Sequence, residues 1–269
     1  MKLSRLLETI EPITANRLNT GSGGQVSKNG AETYQVPNPL PEDNPLDSEI
    51  GSIHYRAQEV QPGGMFVAIE GQTADGHDYM HQALKRGALA FIAQREPPQP
   101  FLNEIRAASP KRRPIVIQVP NTRIALADLA ACFFGHPSRD LTLIGITGTN
   151  GKTTVAYLIE SILLQADFKV GVIGTINYRY GEKTFANPMT TPESMDLQRI
   201  LSEMRRAGVT HVIAEVSSHA LDLYRIKSCW FVIAVFTNLS QDHLDFHGVM
   251  HAYWSTKQRL FTEYLTSGP

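Results

Sequence analysis

Gly148, Gly151, Lys152 and Thr153 sit within the stretch GITGTNGKTT, from Gly145 to Thr154. Two glycines let a backbone turn its N–H groups toward a phosphate. A lysine can neutralise the outer phosphates, and a threonine hydroxyl can face Mg2+. A helix starting at Lys152 adds the positive end of its dipole. The spelling is short, because the usual P-loop has a glycine five residues before that of Gly-Lys-Thr, and here Ile146 stands there. A glycine-rich strand-to-helix turn with no ligand is the plainer alternative. The Lys-Thr pair at the expected helix start argues against it.

Other polar clusters follow. Glu215 ends the apolar run Val212-Ile213-Ala214. A carboxylate there is costly unless it meets a cation, so it is either a metal ligand or a strand-end glutamate turned to solvent. Asp242, His243, Asp245 and His247 could hold a divalent ion, although the spacing is no zinc signature and a polar loop also explains it. Lys257 falls on the apolar face of a helix from Met250, with Tyr253, Trp254, Leu260, Phe261 and Tyr264. It either snorkels its ammonium to water or has a charge paired or altered for function. In Thr190-Thr191-Pro192-Glu193, Thr191 reads as the N-cap of a helix begun by Pro192 and Glu193.

The elements that must position these residues alternate. Strands are expected at 141–146, 169–175, 210–216 and 230–236, and helices at 152–166, 194–207 and 250–265. Apolar strands alternating with helices imply a mostly parallel sheet covered on both faces. Ligands then collect beyond the carboxyl ends of its strands, where the polar clusters fall. Upstream, Gly64–Ile69 and the residues after Gly87 read as strands, with a helix between them. Pro114–Val119 is a third strand, and Asn121 can cap the helix after it. Residues 14–50 read as a long irregular loop. The fold class is therefore α/β. A small α/β domain covers 1–138, and a P-loop-type domain with a mostly parallel sheet covers 139–269, incomplete at its C-terminal end.

Composition narrows the function. Hydrophobic residues make up 42% and charged residues 19% of the 269, which supports a buried core. A net charge of −1 gives no reason to expect nucleic acid. The one basic cluster, Lys111-Arg112-Arg113, reads as a solvated loop. Cys132 and Cys229 read as buried thiols of a reducing compartment. No run approaches the roughly 18 apolar residues of a membrane span, and the N-terminus lacks a signal-peptide block. A cytoplasmic protein without a membrane partner is expected.

Taken together, GTNGKTT, TTPES at 190–194, EVSSHAL at 215–221, TNLSQDHLDFHG at 237–248 and, upstream, FVAIEGQTADGHDY and the GHPS junction resemble the Mur ligases. These are ATP-dependent amino-acid ligases of peptidoglycan synthesis. The likeness is greatest to the branch that adds the third peptide residue to UDP-N-acetylmuramoyl-L-alanyl-D-glutamate. The short glycine loop is normal in that family. The resemblance implies ATP binding by Gly148, Thr149, Asn150, Gly151, Lys152, Thr153 and Thr154. It implies Mg2+ at Thr153, Glu215 and His243, and a carbamylated Lys257 helping to hold a second Mg2+. Catalysis would rest on Lys152, Glu215, His243 and Lys257. Thr190, Thr191, Ser217 and Arg225 would contact the UDP-sugar peptide, and Gln72, Thr73 and Ala74 would lie near the uridine.

The departures are Tyr55 in place of a small serine at the nucleotide-sugar site, Met189 in place of an asparagine and Leu223 in place of a glutamine. The resemblance also implies a C-terminal domain that binds the incoming amino acid, meso-diaminopimelate by expectation, and this stretch of chain is expected to be a fragment that does not include it. The chain alone is expected to be a monomer without ligase activity. Competing readings are another ligase on this scaffold, of the folylpolyglutamate type or a different Mur enzyme, a non-catalytic UDP-sugar or nucleotide-binding module, and an unrelated P-loop kinase.

Overall fold

A computed structural model describes residues 1–10, 14–16, 45–71, 74–108 and 114–265. The chain forms two compact units, Met1–Ala125 and Leu126–Pro269. They divide inside the helix Thr122–Phe133, ahead of the 138/139 boundary read from sequence. The basic run 111–113 and most of the 14–50 stretch lie outside the described residues. Among the described residues, no helix is long and apolar enough to cross a membrane.

The first unit carries a five-stranded sheet. Its strands are β1 (Thr14–Asn16), β2 (Ile53–His54), β3 (Met65–Val67), β4 (Ala90–Ala93) and β5 (Ile115–Gln118), in the order β1-β5-β4-β3-β2. Only the β1–β5 pairing is antiparallel. Helices α1 (Leu3–Leu7), α2 (Met80–Lys85) and α3 (Gln99–Ala107) accompany it. β3 and β4 are buried along their whole length, as expected of apolar strands in a parallel sheet. Phe66, Phe91 and Phe101 pack edge to face at centroid distances of 6.3 and 5.1 Å. Such pairs add about 1 kcal/mol each beyond area burial. α4 (Thr122–Phe133) starts as read, because the Asn121 carboxamide oxygen accepts from the N–H groups of Arg123 and Ile124.

The second unit carries β6 (Thr142–Thr147), β7 (Val170–Ile173), β8 (Asn177–Tyr180), β9 (Lys183–Ala186), β10 (His211–Glu215) and β11 (Phe231–Phe236). Their order is β11-β6-β10-β7-β8-β9. The first four positions are parallel, and β8 and β9 extend the sheet as an antiparallel hairpin that the sequence reading missed. The helices are α5 (Lys152–Gln165), α6 (Ser194–Arg206), α7 (Ser218–Asp222), α8 (Leu244–His247) and α9 (Met250–Thr262). α9 stops three residues before the expected end. There the backbone leaves the helix, and the Tyr264 carbonyl accepts the N–H of Phe231.

α6 buries Leu197, Ile200, Leu201 and Met204, and α9 buries Tyr253, Thr256, Lys257 and Leu260. Each set follows the i, i+3, i+4, i+7 spacing of a helix face. Cys132 and Cys229 are buried thiols that form no disulfide, and burial pushes the Cys229 thiol up to about 12. That thiol is inert at neutral pH.

Candidate active site

The GTNGKTT loop joins β6 to α5. Gly151 takes a left-handed conformation (φ 83°) directly before Lys152. At Gly148 (φ 141°) a Cβ would lie 2.0 Å from the Thr237 hydroxyl oxygen. The position therefore demands glycine for shape as well as conformation.

The loop is clasped by the segment after β11. The Thr149 N–H donates to the Asn238 carbonyl (2.9 Å), and the Asn150 N–H to the Asn238 side-chain oxygen (3.0 Å). The Thr237 hydroxyl donates to the Asn150 carbonyl (2.7 Å). Residues 237–240 were legible as part of a polar cluster after the last strand and of a family motif. Their role as a brace for the loop comes from the fold.

Lys152 Nζ donates to the carbonyls of Gly148 (3.0 Å) and Thr149 (2.9 Å). Burial holds its pKa below the usual lysine value, against the pull of Glu215 and Asp242. Glu215 is 1% exposed, so it is no solvent-facing strand end. Its carboxylate accepts from the Thr153 hydroxyl (2.9 and 3.0 Å), the Thr175 N–H (3.2 Å) and the Thr175 hydroxyl (3.0 Å). Sequence reasoning missed Thr175, a lone threonine two residues after β7. It also missed Gly174, where a Cβ would lie 2.3 Å from Glu215 Oε1.

Lys257 does not snorkel. It is 1% exposed, and its ammonium donates to the Gly148 carbonyl (2.9 Å) and lies 4.5 Å from the Tyr253 ring centroid. Two lysines thus converge on one carbonyl oxygen. Burial, then the Lys152 charge, pushes Lys257 down to about 8, with Asp242 opposing. The Tyr253 hydroxyl meets the Thr149 hydroxyl at 3.1 Å, tying α9 to the glycine loop.

Thr191 is not a helix cap, which corrects the sequence reading. α6 begins at Ser194, and its N-cap position is Glu193, without a side-chain cap bond. The Thr191 hydroxyl donates to the Glu215 backbone carbonyl (2.8 Å) and accepts the Ser217 N–H (3.2 Å). A tertiary partner outcompetes the local cap. Ser217 itself caps α7 by accepting the Ala220 N–H. Arg225 donates to the Thr191 carbonyl (3.3 Å) and pairs with Glu193 (3.5 Å). Thr190 meets Thr175, hydroxyl to hydroxyl, at 3.1 Å.

The structure thus joins the glycine loop, Glu215, Lys257, Thr190, Thr191, Ser217 and Arg225 in one bonded network. His243 stands further out. It is left-handed (φ 52°), paired with Asp242 at 3.5 Å, and reaches the network through the Tyr253 ring at 6.1 Å. His219 lies 4.9 Å from it and His247 5.8 Å from His219, ring centre to ring centre. Burial, then the neighbouring His243, holds His219 below its usual pKa. The donor set fits a hard divalent cation: a buried carboxylate facing a threonine hydroxyl beside a glycine loop.

In the first unit, the Arg56 guanidinium covers the Tyr55 ring at 4.8 Å. Gln72 and Thr73 lie outside the described residues, and the Ala74 carbonyl accepts the Gly71 N–H (2.8 Å). Among the described residues, Glu70, Asp75 and His77 form a group with metal-type ligands, but its partners are already engaged. His77 Nε2 accepts the Gln94 N–H (3.1 Å), its Nδ1 lies 2.6 Å from Asp75, and Arg95 pairs with both acids.

Burial works to raise the Asp75 pKa. The N–H groups of His77 and the Arg95 charge outweigh it and hold the carboxyl below the usual value. The stability this gives is present above the unfolded value of 3.8 and is lost as pH falls through the lower folded value. Asp75→Asn should therefore cost about 2 kcal/mol at pH 7, with a deficit that shrinks toward pH 3. Thermal melts from pH 7 to 3 check this, and a constant deficit would contradict it.

The Mur ligase middle domain matches residues 146–268, and the Mur ligase family catalytic domain matches residues 49–134. UDP-N-acetylmuramoyl-L-alanyl-D-glutamate–2,6-diaminopimelate ligase from Geobacter metallireducens is 41% identical, over 87% of this chain and 43% of its own length. The ligase of the same name from Aquifex aeolicus is 46% identical over 80% of this chain and 42% of its own. The chain thus spans less than half the length of these relatives.

A solved structure of a ligase of that name superposes with a TM-score of 0.68 at 27% identity, covering 85% of this chain and 45% of the other. The MurF ligase of Thermotoga maritima, solved in complex with ADP, gives 0.51 at 25% identity, covering 78% and 42%. With the two Mur ligase domain matches in sequence order over most of the chain, and relatives 41% and 46% identical, the chain belongs to the Mur ligase family.

Proposed function

We propose that this chain supplies the UDP-sugar-binding and nucleotide-binding parts of an ATP-dependent ligase that joins meso-diaminopimelate to UDP-N-acetylmuramoyl-L-alanyl-D-glutamate. The observation that carries the reading is the buried Glu215 carboxylate held against Thr153, where the glycine loop enters α5. Gly148 to Thr154 would take the phosphates of ATP, with Lys152 leaving its two carbonyl partners for the outer phosphates. Thr153, Glu215 and His243 would hold Mg2+. Bound there, the metal supplies positive charge that screens the repulsion between carboxylate and phosphate.

The substrate carboxylate attacks the γ-phosphate, and ADP leaves. The incoming amine then attacks the acyl phosphate, loses a proton, and inorganic phosphate departs as the amide forms. The chain's part is to align and screen. Thr190, Thr191, Ser217 and Arg225 would position the acidic peptide, and Tyr55 and the 72–74 segment the nucleotide end. Lys257 would act as a carbamate, since an amine with a pKa near 8 has an accessible neutral form. That amine adds carbon dioxide and releases a proton. The resulting anion would pair with Lys152 and help to hold a second Mg2+.

Calorimetric titration with UDP-N-acetylmuramoyl-L-alanyl-D-glutamate tests the reading, with UDP-N-acetylmuramoyl-L-alanine as control. Micromolar binding of the dipeptide form, at least tenfold tighter than the control, is expected. Equal binding of both, or of neither, would remove the proposed substrate.

A further inference from the structure

Thr175 touches both Glu215 and Thr190 without a part in the proposed chemistry. It follows Gly174 at the carboxyl end of β7, and its turn is braced from two sides. The Gly174 N–H donates to the Asn177 carbonyl (3.0 Å), and the Asn187 side chain donates to the Gly174 carbonyl (2.8 Å). The absent side chain at Gly174 lets Glu215 come close enough for the Thr175 N–H to reach it. The Thr175 hydroxyl then touches two groups, Glu215 Oε2 at 3.0 Å and the Thr190 hydroxyl at 3.1 Å.

The directions of these bonds follow from counting hydrogens. A hydroxyl has one hydrogen and two lone pairs, and a carboxylate can only accept. Thr175 must therefore give its hydrogen to Glu215. Thr190 must in turn give its hydrogen to Thr175. With Glu215 free of metal, the Thr190 hydroxyl points its hydrogen inward and offers only lone pairs to the site. Those lone pairs repel an anionic oxygen. Were Glu215 to hold a divalent cation, its carboxylate charge would be met there and its hold on the Thr175 hydrogen would weaken. Thr175 can then donate to Thr190, whose own hydrogen turns outward and can bind an anion.

We propose that Thr175 is a positioning residue that couples cation binding at Glu215 to anion binding at Thr190 by reversing the direction of this two-hydroxyl chain. The inference rests on the proposed function for the identity of the anion, the acidic peptide of the UDP-sugar. It needs no movement of the backbone, only rotation of two hydroxyl groups. By linkage, the peptide must strengthen cation binding by the same factor.

The test is calorimetric binding of UDP-N-acetylmuramoyl-L-alanyl-D-glutamate in saturating ADP, once with EDTA and once with Mg2+. Wild type, Thr175→Ser and Thr175→Val are compared, each checked by thermal melting. Wild type and the serine variant should bind about fivefold to tenfold more tightly with Mg2+. The valine variant has no acceptor to hold the Thr190 hydrogen inward. It should bind in EDTA about as tightly as wild type does in Mg2+, with a ratio near one between the two conditions. A residue that only braced the turn would instead weaken binding in both. Thr175→Ala repeats the measurement should valine lower the melting temperature. A hydroxyl-free variant that keeps the Mg2+ enhancement, or that binds more weakly in both conditions, overturns the coupling and leaves the substrate reading standing. Failure of wild type to bind the dipeptide in either condition overturns both.

Discussion

Replacing Lys152 with methionine should weaken binding of Mg2+·ADP about a thousandfold while leaving the melting temperature unchanged or slightly higher. The ammonium now donates to the Gly148 and Thr149 carbonyls, and burial depresses its pKa. Folding thus carries a desolvated charge whose return within the apo protein, two backbone hydrogen bonds and the pull of Glu215 and Asp242, falls short of the cost of burial. Bound nucleotide changes that balance. A unit charge about 4 Å from a phosphate oxygen is worth about 4 kcal/mol at an effective dielectric of 20, close to three powers of ten in affinity. Methionine keeps the length of the stem and drops the charge. Calorimetry with ADP and Mg2+, paired with a thermal melt, separates the two roles. Affinity within fivefold of wild type would remove the glycine loop as the phosphate site. Weakened affinity with a much lower melting temperature would show that Lys152 chiefly holds the loop together.

The contrast between Lys152 and its surroundings shows what a sequence can carry. Continuous apolar runs such as Leu143–Ile146 and Val212–Ala214 gave the parallel core strands to within a residue or two, because burial on both faces leaves one residue class. The β8–β9 hairpin was not legible. Asn177–Tyr180 and Lys183–Ala186 lie at the sheet edge with polar and aromatic residues mixed, held by Tyr178 and Tyr180 against Phe185. Helical spacing put Lys257 on the apolar face of α9. It could not supply the acceptor, a carbonyl 109 residues earlier.

Thr191 failed for the opposite reason. The local signal for a helix cap was good, and Glu215 and Ser217, brought in by β10, took the hydroxyl instead. Thr175 carried no signal at all, since its importance lies in Glu215 standing opposite a glycine. Residue types and spacing therefore singled out the groups proposed to do chemistry. The groups that aim them became visible only with the fold.

The lysine on α9 gives the second large effect, and its sign depends on pH. Lys257→Met should raise the melting temperature at pH 7 in buffer freed of carbon dioxide. The unfolded lysine titrates near 10.5 and the folded one near 8, because burial and then the Lys152 ammonium oppose its charge. Below pH 8 both states hold the proton, and the folded state bears the full penalty. Between pH 8 and 10.5 the folded amine is already neutral while the unfolded one stays charged. The wild type therefore gains stability across that window relative to the variant, and the gain levels off above it.

The gap is worth about 3 kcal/mol. Methionine also removes one donor from the Gly148 carbonyl, a loss of about 1 kcal/mol, while the Lys152 donor remains. The net expectation at pH 7 is about 2 kcal/mol, or roughly 4–8 °C, vanishing or reversing by pH 10.5. Bicarbonate should stabilise the wild type, by converting the repelled ammonium into a carbamate that attracts Lys152, and leave the methionine variant unmoved. A variant that melts lower than wild type at pH 7 without carbon dioxide would mean that the ammonium braces the glycine loop more strongly than burial and Lys152 oppose it.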